Sequence, residues 1–537
     1  MALSLPDVHD ANRRWWTLGA MCFALFMVML DNTVVNVALP SIQRDLDVST
    51  ANLEWTVNAY TLTFAVLLVT GGRLGDIFGR RRWFLIGVVI FGASSLFIAF
   101  SQTSEWLVAG RALQGVGAAF MMPATLSIIT NAFPPQERGK AIGTWAGASA
   151  VALAIGPVVG GFLVEHVSWQ SIFLINVPVA VLAVVVTLWA THESRDPTAV
   201  RTVDYWGVVT ISIGLGALVL GLVEGNSWGW TSAGIIALFA IAVLGLAGFF
   251  VAEHRVRAPM LDFSYFRSRS FAGANLVAFI VSFAMLAMFF FLALYMQNVR
   301  GYSPLEAGIR FLPSTAVIIV MGPIAGRLAD RVGPRPLMSL GLVLVSASML
   351  LQSFLAVDTP YGYLAAGFAL MGLGMGLVMS PMSTAAMNAV DQSKAGAASG
   401  ILSMSRMVGG TFGVAVMGAL IQSLGRNHLE DLLPRAGASQ IDRLTEALAS
   451  GGRGIPNAIA AQAVQTSFLD AVNVAMKVGA GFALAGAVVS WLLIDVGPVR
   501  APHPHGAEER FELDLVEAGD AGGAPQGEPV IARELAR

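Results

Sequence analysis

Long apolar runs alternate with short polar breaks along almost the whole chain. Fourteen of them reach the roughly 20 residues that a helix needs to cross about 30 Å of hydrocarbon. They lie near 15–39, 53–73, 83–101, 106–130, 141–165, 170–191, 206–224, 232–252, 271–297, 306–328, 335–356, 361–388, 397–424 and 472–495. A segment inside lipid must satisfy its own backbone hydrogen bonds, so the pattern predicts an all-α membrane protein with 14 transmembrane helices. Two stretches fall outside it. Residues 425–470 carry helix-like runs such as DRLTEALAS and a glycine break at SGGRG, which predicts a helical hairpin packed on the outer face. Residues 496–537, rich in Glu, Asp, Gly and Pro, read as a disordered, solvated tail.

Composition agrees with this picture: 55% of residues are hydrophobic, 12% are charged, and the mean hydropathy is +0.69. A net charge of −2 offers no basic field for nucleic acid. The single cysteine, Cys22, cannot form an intramolecular disulfide. Lysine is confined to Lys140, Lys394 and Lys477, a bias that points to a GC-rich bacterial genome. The opening NRRWWTLGAMCFALFMVML has the charge and apolar run of a leader. It lacks a small-residue cleavage site and is followed by many equal spans, so it reads as the first span.

Basic residues fix the expected orientation, because cytoplasmic loops keep the Lys/Arg excess. Alternating the runs puts Arg13, Arg14, Arg73, Arg80, Arg81, Arg82, Arg138, Lys140, Arg195, Arg255, Arg327, Arg331 and Lys394 on one side. Short loops on the other side carry only Arg44 and Arg300. Both termini, including residues 1–14, are therefore expected in the cytoplasm of a bacterial plasma membrane.

The chain also repeats itself. GRLGDIFGRR at 72–81 returns as GRLADRVGPR at 326–335, ALQGVGAAF at 112–120 returns as ALMGLGMGL at 369–377, and Gly143 maps onto Gly400 at the same shift. The shift covers eight runs, so six-helix halves at 15–191 and 271–495 are separated by two inserted helices at 206–252. Transporters built from parallel repeats place their substrate between the halves and expose it alternately to each side.

With these features in order, LDNTVVNVALP, GRLGDIFGRRR, LVAGRALQGVGAA, GPVVGG and GYSPLEAGIRFLP, the sequence resembles the fourteen-span drug:proton antiporters of EmrB/QacA type in the major facilitator superfamily. The resemblance covers about residues 15–495. It implies secondary export of amphiphilic, often cationic small molecules driven by the proton gradient, with no other cofactor and nothing that requires more than a monomer. A dedicated exporter of a natural product, lipid or siderophore would use the same machine. A membrane receptor or enzyme without transport is the alternative of another class. No GxxxxGK[ST], HExxH or GxSxG motif and no metal-spaced Cys/His cluster supports chemistry of that kind.

Asp31 is the carboxylate set deep in an apolar run, where an ionised side chain costs about 2.5–3.5 kcal/mol on insertion scales and must face a cavity or a partner. Arg111 is the candidate partner. Asp31 lies nine residues before Pro40 and Arg111 six past Glu105, which puts them roughly 13 and 9 Å below the same surface at about 1.5 Å per residue. The resemblance implies that both take part in proton transfer. It also implies that Gly72, Arg73, Gly75, Asp76, Gly79 and Arg80, with Asp330 and Arg331 in the second copy, gate the cytoplasmic side. A carboxylate there facing a helix N-terminus of the other half would make a latch, and Asp76 and Arg80 are spaced to pair. The second copy replaces GRRR by GPRP, which predicts a weaker latch. Gly156, Pro157, Gly160 and Gly161 form a small-residue face that permits close helix approach and, by the resemblance, a rocking interface. Candidate substrate residues are Asn32, Asn36, Asn58, Tyr60, Gln114, Met121, Gln297, Met375, Met379 and Arg406, the methionines because a deformable, polarisable surface suits varied amphiphiles.

Overall fold

The computed structural model describes residues 10–46, 50–197, 204–256, 261, 263–450, 455 and 457–495. The remaining residues, including most of the N-terminal segment and the tail from 496, lie outside the described set. Fourteen long helices account for most of the chain. They are α1 (Asp10–Leu46), α2 (Thr50–Phe78), α3 (Arg80–Ala99), α4 (Ser104–Ala132), α5 (Pro135–His166), α6 (Asn176–Ala190, preceded by the single turn Ser171–Leu174) and α7 (Tyr205–Trp228). The others are α8 (Ala233–Arg255), α9 (Arg269–Leu294), α10 (Leu312–Val332), α11 (Pro334–Leu351), α12 (Tyr361–Asn388), α13 (Ala395–Leu432) and α14 (Ala458–Leu493). By length and composition 13 of the described helices can cross a membrane; α5 is absent from that set but is 32 residues long.

Helix ends follow local chemistry. Side chains of Thr103, Asp204, Ser232, Ser268 and Asn457 accept hydrogen bonds from the first free backbone amides of α4, α7, α8, α9 and α14. The helices run past the apolar runs, because the ends of a span need not stay in hydrocarbon. The segment 425–470 is accordingly mostly helix: α13 continues to Leu432, a short helix covers Ala438–Glu446, and α14 begins at Ala458. Ile441, Leu444 and Leu448 of that segment are buried.

Large apolar side chains also point outward, as Val243 and Leu244 of α8 do at 67% and 71% exposure. Contiguous faces of this kind are stable only when lipid, not water, is the solvent.

Helices α1–α6 pack into one bundle, through α2 against α4, α3 against α4 and α1 against α5 and α6. Helices α9–α14 form a second, through α9 against α13, α10 against α12 and α11 against α12 and α14. The bundles meet along two seams, α2 against α13 and α5 against α10. A shift of eight helices carries α2 onto α10 and α5 onto α13, so the seams are the same contact made twice. Helices α7 and α8 pack on each other, and α7 also lies against both α2 and α13.

Glycines set the closeness of the seams. A Cβ on Gly72 of α2 would run into the carbonyl oxygen of Gly396 on α13, and one on Gly326 of α10 into that of Gly139 on α5. Gly326 is the repeat of Gly72. The turns after these helices also match: Gly79 and Gly333 both hold positive φ, 116° and 86°, a conformation that other residues adopt at a cost.

Replacing Gly326 by Val is expected to destabilise the closed seam by about 1–3 kcal/mol, as overpacking does. Spin labels at the exposed positions Arg82 and Asp391, placed in a Cys22→Ser background, should move apart. An unchanged distance distribution in a folded Gly326→Val protein would refute this role of the glycine.

Candidate functional site

Asp31 and Arg111 meet. Both are almost wholly buried, at 2% and 1% exposure, and the Arg111 guanidinium donates to Asp31 Oδ2 at 2.6 Å. Two further donors are used as well: the same nitrogen reaches Gln114 Oε1 at 2.6 Å and Nε reaches the Thr56 carbonyl at 2.9 Å. The guanidinium also lies 4.3 Å from the centre of the Tyr60 ring, a cation–π contact.

The remaining carboxylate oxygen, Asp31 Oδ1, accepts from Gln114 Nε2 at 2.9 Å and from Asn176 Nδ2 at 3.2 Å. Both amides also reach Ser95 Oγ, at 2.8 and 3.3 Å. One carboxylate therefore gathers side chains from α1, α3, α4 and α6, with α2 contributing a carbonyl and a ring. Each partner donates to an ionised Asp31. Oδ2 accepts only one of these bonds, so a proton placed on its free lone pair would remove the charge that holds Arg111 and weaken the contacts of all three donors. The arrangement can thus convert protonation into a change of helix packing.

The second cluster lies at the arginine-rich end of the seam between α2 and α13. Asp76 is fully buried and accepts from the backbone amides of Gly396 at 2.9 Å and Ala397 at 2.7 Å, in the first turn of α13. Arg80, also buried, donates from Nε to Asp76 Oδ1 at 2.8 Å, and its guanidinium reaches the carbonyls of Gln392 and Ser393. The carboxylate meets the positive end of one helix while the arginine meets the carbonyls just before it. Glu193 caps α3 by accepting from Arg81 and Arg82 amides at 3.0 and 3.2 Å. Further bonds across the same end join Arg138 to Asn388 Oδ1 at 2.9 Å, Ser380 to the Gly139 carbonyl at 3.1 Å and Ser399 to the Pro123 carbonyl at 2.7 Å.

The repeat copy is less complete. Asp330 faces the amides of Gly139 and Lys140 at the start of α5, but its Oδ1 has no hydrogen-bond partner, and Pro334 stands where Arg80 stands in the first copy. Arg73 is half-buried on α2, Arg331 is exposed, and Gly75 lies against Arg80.

The other candidates disperse. Gly156 and Gly160 press on Thr33 and Val34 of α1, within their own bundle, and Gly161 has open space beside it. The α5 glycines that meet the other bundle are Gly139 and Gly143, most closely, and Gly147. Gln114, read from sequence as a substrate contact, spends its amide on the ion pair. Tyr60 is buried under Arg111. Asn32 bonds the Val28 carbonyl at 2.9 Å, and Met121 is buried against Gly87 of α3. Asn58 donates at 3.4 Å to Glu224, a buried carboxylate of α7. Gln297 is half-buried in the π-turn after α9. Met375 is buried and Met379 half-buried on α12, and Arg406 on α13 donates to Ser383 Oγ at 2.6 Å. The side chains of Asn36 and Pro157 lie outside the described set.

Sequence reasoning missed Ser95, Asn176 and Glu224. Each is a polar residue in or at the edge of an apolar run, but only Glu224 carries the kind of charge that exposed Asp31.

The Major Facilitator Superfamily family description matches residues 21–414. The tetracenomycin C resistance and export protein of Streptomyces glaucescens is 35% identical over 523 residues, covering 95% of this chain and 96% of the relative. The puromycin resistance protein pur8 of Streptomyces alboniger is 38% identical over 424 residues, covering 78% and 84%. Among solved structures, the human organic anion transporter MFSD10 superposes with a TM-score of 0.62 at 14% identity, over 89% of this chain and 99% of that one, a likeness of fold. The chain belongs to the major facilitator superfamily, as a transporter related to multidrug and antibiotic-resistance exporters.

Proposed function

We propose that this protein is a drug:proton antiporter of the fourteen-span branch, exporting amphiphilic compounds across a bacterial plasma membrane with both termini and the arginine-rich face in the cytoplasm. The observation that carries the reading is the buried Asp31–Arg111 pair, in which three donors hold the carboxylate and Oδ2 keeps a lone pair that can take a proton in place of the charge facing Arg111. A proton arriving from outside would neutralise Asp31, loosen its hold on Arg111 and favour substrate release. Opening of the cytoplasmic face would then let the proton leave inward. The membrane potential supplies about 2.3 kcal/mol per charge per 100 mV to a cycle that moves net charge.

Asp76 supports the second half of the cycle. Its bonds to the first turn of α13 hold the cytoplasmic face closed, and breaking them is the step that opens it. Thr33, two residues beyond Asp31, touches Gly156 of α5, so a shift of α1 on protonation would reach the helix that forms the other seam. The cationic character expected of the substrate rests on the family resemblance. A dedicated natural-product exporter is the second reading, favoured by the near full-length similarity to the tetracenomycin C export protein.

Reconstituted Asp31→Asn protein is expected to lose gradient-driven transport by at least about tenfold, the size of one charge-assisted interaction, while remaining folded. Normal driven transport by this variant would sink the coupling assignment. Asp76→Asn keeps the shape but removes the charge, and hydrogen bonds to charged groups contribute about 1.5–3 kcal/mol. Spin labels at Arg82 and Asp391 should then report a larger population with that face open; an unaltered population would mean that Asp76 is not the latch.

A further inference from the structure

The ion pairs of the N-terminal bundle are internally neutralised. Arg406 is not. It sits eleven residues into α13, about 17 Å along the helix at 1.5 Å per residue, near the middle of a hydrocarbon layer about 30 Å thick. Among the described residues no carboxylate lies within ion-pair distance of it. Its partner is neutral: the Ser383 hydroxyl, whose own proton goes to the Met379 carbonyl at 3.0 Å. Arg406 Nε is enclosed without an acceptor, although a guanidinium carries five donors.

The side chain is not sealed, however. Part of its surface stays accessible. The consecutive residues Met404, Ser405, Met407 and Val408 of α13 are likewise only half-buried, and so is Met379, one turn before Ser383 on α12. A cation with spare donors thus stands at mid-membrane depth near the partly exposed Met407, its sequence neighbour, and Met379, one turn from its partner Ser383.

Snorkelling does not account for this. A guanidinium this deep is too far from either surface for its stem to reach water, and its observed bond leads to a buried serine on a neighbouring helix. A fixed structural arginine would be expected to spend its donors as Arg111 does, on a carboxylate, an amide and a carbonyl.

We infer that Arg406 is a substrate-binding residue that receives an anionic oxygen, a carboxylate, phenolate or enolate, carried on an apolar body that lies against Met379 and Met407. The inference rests on the export reading above and changes its chemistry: the C-terminal bundle selects acidic or zwitterionic amphiphiles, and the charge of the substrate is opposite to that expected from the family. A planar guanidinium pairs with two oxygens at once and is more weakly hydrated than an ammonium, so it suits a carboxylate at this depth better than a lysine would.

Two fluorescent probes with one apolar body separate the outcomes: dansylglycine, which carries a carboxylate, and dansylcholine, which carries a quaternary amine. Binding is measured on the purified full-length protein, and transport in liposomes with an imposed pH gradient. Arg406→Gln should weaken dansylglycine binding by about tenfold or more, the size of one charge-assisted pair, without weakening dansylcholine, and Arg406→Lys should restore part of the loss. Equal loss of both probes by a folded variant, or no change in either, overturns the inference. Wild-type protein that drives dansylcholine but does not bind dansylglycine overturns it while leaving the export reading intact. Arg406-dependent dansylglycine binding without gradient-driven transport of either probe would instead support the site and count against proton-coupled export.

Discussion

The two bundles are joined at the arginine-rich end by one carboxylate placed at the start of a helix from the opposite bundle. Asp76 accepts from the amides of Gly396 and Ala397, which have no partner within α13 itself, so the bond satisfies donors that any helix leaves open. Gly72 makes that contact reachable, because only a residue without a side chain lets α2 come against the carbonyl of Gly396. Arg80 then neutralises the carboxylate and ties itself to the carbonyls before α13. Interface, turn and charge cluster are one construction, and the duplicated seam between α5 and α10 repeats its glycines with fewer of its hydrogen bonds.

Much of this was legible in the chain. Apolar run length predicts fourteen helices because lipid allows few alternatives, and the shift between the copies of GRLGD predicts which helices correspond. Asp31 and Arg111 stood out because charge is expensive in hydrocarbon, and counting residues from the run ends brought them to one depth. The spacing of Asp76 and Arg80 on one helix face pointed to a pair.

What was not legible depended on helix neighbours. Ser95 and Asn176 are neutral, cost little in a span and carry no signal that they share a partner with residues far away in sequence. Gln114 looked like a free amide until Arg111 and Asp31 closed on it. Gly156 and Gly160 announce a close approach without naming the approaching helix, which is α1 rather than the opposite bundle. Helix ends also hid information: a run taken to stop at residue 224 gave Glu224 no weight, yet α7 continues to Trp228 and holds that carboxylate against Asn58.

The position of α7 has a consequence of its own. It lies against α2 and α13 at once, so it roofs one of the two lines along which the bundles face the lipid. The line between α5 and α10 is touched instead by a single short helix, Pro304–Arg310, which packs against both. Two halves that are alike inside are therefore unlike from outside: one flank is covered by a long helix and the other by a short one. A compound dissolved in the bilayer would meet these flanks as different surfaces.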